Sequence, residues 1–189
     1  LASIKKAASI TDKIMQDIIK TFPKFQKEEH VMQFLKKQIK QHKVKFAFPP
    51  IIASGKYASK LHYKPTNRYL LPGFCVIDIG VKYNGYCADM SRTIYIGNPK
   101  KKEREMYDQV LSVQKKTIKK VKPGLDPINL HMFAKKNLGK RFIHAIGHGI
   151  AKKVHDSPQI SKKKPAKLKT NDVFCIEPGL YSKDRYGIR

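Results

Sequence analysis

The run FCVIDIGVKYNGYCADMSRTIYI, from Phe74 to Ile96, constrains the fold more than any other part of the chain. Two segments rich in β-branched and aromatic residues flank Tyr83-Asn84-Gly85, and Asn-Gly supplies the positive φ angles that a tight hairpin turn requires. The pattern predicts antiparallel strands over Phe74 to Val81 and Tyr86 to Ile96. Each segment carries one aspartate in apolar surroundings, Asp78 in CVIDIG and Asp89 in YCADMS. Pairing across the turn can bring both carboxylates onto one face. Two such groups close together are costly unless a cation lies between them, and a hard or borderline divalent metal neutralises them well. A single strand aspartate more often caps a turn or pairs with a lysine, so the pair gains meaning only beside further ligands.

Further candidates follow downstream. FIHAIGHGIAKKVHD groups His144, His148 and His155, and Gly147 and Gly149 let the backbone come close to a ligand. Histidine is the commonest metal-binding side chain and an acid or base near neutrality. One histidine alone is more often a satisfied core residue; three of the chain's seven in one short stretch are harder to dismiss. Glu177, in CIEPGLY, ends an apolar run directly before Pro178-Gly179 and needs a partner if buried. Two aspartates, a histidine and a glutamate make a mixed nitrogen and oxygen set suited to manganese, cobalt, zinc or iron. The spacing does not choose among these metals.

Around this constellation the periodicity changes along the chain. Ile4, Ala7, Ala8, Ile14, Ile18 and Ile19, and then Val31, Phe34, Leu35 and Ile39, recur at helical spacing and predict two amphipathic helices. A strand is expected over Ile51 to Ser54, followed by a polar loop through His62. Met106, Tyr107, Val110, Val113 and Ile118 mark a third helix from Glu103 to about Val121, ended by Pro123-Gly124. Asp126-Pro127 reads as an N-cap with proline in the first helical position, starting a helix to about Leu138. The remainder, Phe142 to Arg189, is strand-like pieces split by a lysine- and proline-rich loop around Ser161 to Lys169. The order of helices, strands, helices, strands implies an α+β domain of two similar halves.

Length and composition fit one folded domain: 189 residues, 41% hydrophobic and 29% charged. The net charge of +26 would by itself point to nucleic acid, a ribosome or an anionic surface. Nearly all of it is lysine, however, with arginine only at Arg68, Arg92, Arg104, Arg141, Arg185 and Arg189. Bidentate phosphate and base recognition favours arginine, so a lysine-decorated solvated surface is the better reading. Cys75, Cys87 and Cys175 each sit in an apolar run without CxxC spacing, as small buried residues of a reducing compartment would. No apolar stretch reaches the roughly 20 residues of a membrane helix, and a cytoplasmic protein is expected.

DIGVKYNGYCADMSRT, HAIGHGIAKKVHDSP and IEPGLY together resemble the pita-bread metallopeptidases, which include methionine aminopeptidase, aminopeptidase P and prolidase. The resemblance runs from about Ile4 to Arg189. It implies a curved antiparallel sheet backed by helices, in two halves related by pseudo-twofold symmetry, and two divalent metal ions, with Mn2+ or Co2+ favoured over Zn2+ or Fe2+. Asp78 would chelate one metal and Asp89 would bridge both, while His148 and Glu177 would bind the other. Glu177 would also act as general base and acid, and His155, His144 and His62 would stabilise the oxyanion and orient the peptide. Tyr181 and Arg189 would support substrate binding.

SGKYASKLHYKP, His144 and PGLY are similar to the Xaa-Pro branch, which implies hydrolysis of Xaa-Pro bonds at the N-terminus of short peptides. A dipeptidase and an aminopeptidase both remain open, as do methionine aminopeptidase and a non-catalytic relative that binds ribosomes or nucleic acid. A homodimer is a further possibility within the branch. The family's fifth ligand is a glutamate two residues beyond the arginine of a motif like GIRIED, whereas the sequence ends at Gly187-Ile188-Arg189. The expectation is therefore a single catalytic domain over 1–189, truncated at the C-terminus and without the usual N-terminal domain.

Overall fold

The computed structural model describes residues 1–163 and 166–189. Lys164 and Pro165, inside the predicted lysine- and proline-rich loop, lie outside the described residues. The chain opens with helices α1 (Ala2–Thr21) and α2 (Glu28–Gln41). Ala7, Ile10, Ile14 and Ile18 of α1 recur three to four positions apart and are buried, with Val31 and Leu35 of α2, in one core. Each isoleucine buried there contributes roughly 1.5–3 kcal/mol of transfer free energy. Thr11 ties α1 to the sheet, donating to the Ala7 carbonyl at 2.9 Å and accepting from the Val81 amide at 3.3 Å.

Strands β1 (Lys45–Phe46), β2 (Ile51–Ser54), β3 (Gly73–Ile79), β4 (Val81–Tyr83), β5 (Tyr86–Cys87) and β6 (Met90–Ile96) follow. They form two antiparallel sheets, ordered β2-β3-β6 and β1-β4-β5. The predicted hairpin is thus not one continuous ribbon. Its turn is as expected, with Asn84 at φ 47° and Gly85 at φ 82°, but the strands change sheets at Gly80 and again at Ala88-Asp89. At Gly80 any Cβ would collide with the Ala88 carbonyl, so glycine is what lets the two arms cross. Asp89 consequently lies in the irregular link before β6, and Asp78 is paired with Ser91.

Alternation along β3 decides where Asp78 points. Cys75, Ile77 and Ile79 pack into the core under α1 and α2, so Asp78 is turned to the opposite face.

Helix α3 (Lys101–Ile118) ends earlier than predicted, at a tightened turn through Val121. Pro123 disfavours helical backbone at Lys122, so the termination begins before the proline itself. Helix α4 (Pro127–Leu138) starts as expected, the Asp126 carboxylate capping the Ile128 amide at 3.0 Å. Val110 and Val113 of α3 and Leu130 and Ala134 of α4 build a second core with Phe74, Phe142, Ile146 and Ile160. Strands β7 (Gly147–Gly149) and β8 (Asp156–Ile160) form an antiparallel pair, and β9 (Leu180–Ser182) and β10 (Tyr186–Ile188) another. No helix of the described residues is long and apolar enough to cross a membrane.

Candidate metal centre

His148 occupies the middle of β7 because glycines on both sides admit neighbouring backbone. A Cβ at Gly147 would collide with the Cys175 carbonyl and one at Gly149 with the Ser157 carbonyl. The segment from Val173 to Glu177 runs antiparallel beside β7, joined by Ile150 N to Val173 O at 2.9 Å, Cys175 N to His148 O at 3.0 Å and Glu177 N to Ile146 O at 2.7 Å. Glu177 therefore sits in an extended segment docked on β7 and not at the end of a strand. This docking delivers its carboxylate to His148, with Oε1 3.2 Å from Nε2. The link carrying Asp89 brings Oδ2 within 3.5 Å of the same nitrogen.

Asp78, Asp89, His148, Glu177 and Arg189 line one cavity of about 580 Å³, together with His62, His144 and His155. The structure thus gathers every residue singled out from the sequence for the site except Tyr181, which stands just behind the wall. Its hydroxyl is 3.1 Å from His144 Nε2. The His155 ring lies edge-on to His148, centroids 4.2 Å apart, and His62 is exposed on the segment after the short 3-10 turn Gly55–Ser59.

Hydrogen bonds fix the tautomers of the two inner imidazoles. His148 Nδ1 is 3.1 Å from the Gly149 carbonyl, which can only accept, so Nδ1 carries the proton and Nε2 faces the carboxylates. His144 Nδ1 is likewise 2.6 Å from the Ala145 carbonyl. Burial lowers the pKa of His144, and the neutral ring then accepts at Nε2 from Tyr181. Burial also raises the Tyr181 phenol to about 12, which keeps that donor protonated.

Three carboxylates so close need compensating positive charge. Arg189 Nη2 donates to Asp78 Oδ2 at 2.7 Å, and Ser91 Oγ accepts from Arg189 Nε at 2.9 Å. Thr93 Oγ1 accepts from the Arg189 amide at 3.0 Å and donates to its carbonyl at 2.8 Å. Even so, burial raises Asp78 to about 7, with Arg189 opposing the shift and Asp89 and Glu177 adding to it. Burial opposes charge on His148, but its hydrogen bonds to Asp89, Cys175 and Glu177 outweigh this and raise its pKa. Glu177 shows the mirror image: burial would raise it, and His148 and Arg189 together hold it low.

Asp78 Oδ1 is buried without any hydrogen-bond partner. An orphaned carboxylate oxygen on a cavity lined by two more carboxylates and an imidazole fits a divalent cation, which would satisfy that oxygen and replace the proton on His148 Nε2. One participant was not legible beforehand. Cys175, expected as a core residue, directs its thiol to Glu177 Oε1 at 3.3 Å, and its sulfur clusters with ligand atoms of Asp89 and His148 within 4.8 Å. Its place two residues before Glu177 on an extended segment, hence on the same face, was the available signal. Ser91 and Thr93 could likewise have been found from their alternation with Asp89.

Comparison with known proteins identifies the family. Residues 2–189 match metallopeptidase family M24. The chain belongs to that family. Its M24 relatives include the Xaa-Pro dipeptidase of Pyrococcus furiosus, 35% identical over 193 residues that cover 98% of this chain and 56% of that protein. The crystal structure of the prolidase from Pyrococcus horikoshii OT3 superposes with a TM-score of 0.93 at 32% identity, covering 100% of this chain and 56% of that one. The X-Pro aminopeptidase from Thermotoga maritima gives 0.92 at 31% identity, covering 100% and 55%. The M24 chain described here thus spans about half the length of these relatives, and its fold is the pita-bread fold.

Proposed function

We propose that this chain forms the catalytic domain of a metal-dependent exopeptidase that cleaves Xaa-Pro bonds at the N-terminus of short peptides. The observation that carries the reading is the convergence of Asp78, Asp89, His148 and Glu177 on one cavity with Asp78 Oδ1 unsatisfied. Those four side chains would hold two divalent cations, manganese or cobalt in first place. Bound there, the cations would supply Lewis acidity, making a water acidic near neutral pH and polarising the scissile carbonyl.

The protein's own groups do the rest. Glu177, held deprotonated by His148 and Arg189, accepts the proton of the attacking water and returns it to the leaving imino nitrogen of proline. His155 and His62, on the cavity wall, donate to the oxygen that gains charge and orient the peptide. His144, neutral and fixed through Tyr181, positions the substrate beside them. Arg189 holds Asp78 in place and takes no proton in the reaction. Three free cysteines agree with a reducing, cytoplasmic setting.

The test uses the full-length protein loaded with manganese or cobalt and a panel containing Ala-Pro and Met-Ala. Release of proline from Ala-Pro, with Met-Ala left intact, is the expected result. Cleavage of Met-Ala alone would move the assignment to methionine aminopeptidase. Cleavage of neither, with salt-sensitive binding to RNA, would replace catalysis by a binding role.

A further inference from the structure

The three thiols of the chain are placed differently. Cys75 is fully buried in the core under α1 and α2, and Cys87 turns its sulfur to the Lys152 carbonyl, 3.5 Å away. Cys175 instead aims its sulfur at the acidic cluster, where Glu177 Oε1 lies 3.3 Å from it. Backbone pairing fixes that aim. The Cys175 amide donates to the His148 carbonyl at 3.0 Å and the Glu177 amide to the Ile146 carbonyl at 2.7 Å, so the register on β7 sets where both side chains stand. The thiol is a weak donor with no acceptor to itself. Glu177 Oε1 is already 3.2 Å from His148 Nε2, and the His148 carbonyl, also bound by the Cys175 amide, is 3.6 Å from the sulfur.

Ligand atoms of Asp89, His148 and Cys175 lie within 4.8 Å of one another. Atoms so spaced share a point within about 2.8 Å of each, and zinc bonds to oxygen, nitrogen and sulfur run roughly 2.0–2.3 Å, so shifts of roughly 0.5–0.8 Å complete a ligand set. Independently of the sulfur, Asp78 Oδ1 on the adjoining cavity is buried without a hydrogen-bond partner and calls for a cation there. Cys175 is not part of the cavity lining and approaches the cluster from the β7 side. A bond to its sulfur therefore leaves the open side of the cavity free for a peptide.

We propose that Cys175 is a further metal ligand, which with Asp89 and His148 makes the His148 end of the centre a site for a thiophilic divalent cation of the zinc class. On binding, the S–H bond is replaced by a sulfur–metal bond and the proton passes to solvent, with no change of oxidation state. Thiolate donors favour zinc, whereas manganese prefers oxygen, so this one side chain shifts the preference of a centre otherwise built from carboxylates and imidazole. The inference rests on the metal-centre reading given above and names the residue that sets metal preference within it.

The test titrates cobalt, as a spectroscopic stand-in for zinc, into the metal-free, full-length protein and its Cys175→Ser and Cys87→Ala variants. Serine keeps a donor for Glu177 and removes the sulfur. The parent and Cys87→Ala should develop a near-ultraviolet thiolate-to-cobalt charge-transfer band, and Cys175→Ser should bind cobalt without it. In competition titrations zinc affinity should fall at least about tenfold in Cys175→Ser, with manganese affinity nearly unchanged. Cobalt binding to the parent without the band, a band that survives in Cys175→Ser, or zinc and manganese affinities that fall together overturns the inference and leaves the metal centre standing. Absence of cobalt binding to the parent removes the centre itself, and the inference with it. Should Cys175→Ser fail to fold, the other two spectra decide: a band in both supports the inference, because Cys75 is enclosed by the core, and a band lost in Cys87→Ala overturns it.

Discussion

Replacing Arg189 by methionine removes the cation bonded to Asp78 and leaves a carboxylate facing Asp89 and Glu177. The two side chains of the pair are 8% and 10% exposed, so little solvent is at hand to take over the compensation. Removing one partner of such a pair costs about 3–5 kcal/mol. Protonation of Asp78 can relieve that cost, because burial already holds this group at about 7 and Arg189 is what opposes a further rise. A carboxyl raised in the folded state contributes stability that is fully present below its ordinary range and is lost as pH rises through the folded value. The penalty for Arg189→Met should therefore be small near pH 5 and grow above about pH 7 by about 1.4 kcal/mol per pH unit, reaching about 2 kcal/mol at pH 8.5. For a domain of this size that corresponds to a fall of roughly 4–8 °C in Tm at the higher pH. Urea and thermal unfolding of the metal-free protein at both pH values provide the assay, with Arg189→Met/Asp78→Asn regaining most of the loss. An equal loss at both pH values, or a double variant less stable than Arg189→Met, would refute the reasoning.

Gly149→Ala should cost about 1–3 kcal/mol by overpacking against the Ser157 backbone and should weaken metal binding further by displacing His148, as urea unfolding and calorimetry would reveal. Unchanged metal affinity would show that β7 does not set the position of His148. Tyr63→Phe removes the hydroxyl contacts to the buried Glu28 and should destabilise by about 1.5–3 kcal/mol in urea unfolding. Metal affinity should rise with pH through about 7, because a cation displaces protons from Asp78 and His148. Calorimetry in buffers of different ionisation enthalpy measures that proton release, and pH-independent binding without release would contradict it.

Much of this was legible because the physics is local. Asn84-Gly85 fixes a turn, Asp126-Pro127 fixes a helix start, and the helical spacing in α1 fixes which face is buried, each without help from distant residues. The four candidate ligands stood out because acids and imidazoles in apolar strings need partners. What escaped depends on long-range geometry. The hairpin divides between two sheets because Gly80 lets Ala88 approach, which no period-two pattern reveals. Cys175 read as a core residue because its neighbours are apolar, although alternation with Glu177 turns its thiol to the site. Glu28 and Tyr63 meet across 35 positions of sequence, and only folding joins them.

Calorimetric titration of manganese into the metal-free, full-length protein and its Asp89→Asn and Glu177→Gln variants most directly probes the idea of one shared cation basin. The parent should bind the ion, and each substitution should weaken that binding by at least about tenfold. Equal manganese affinity in all three proteins would mean that these side chains do not form a common centre.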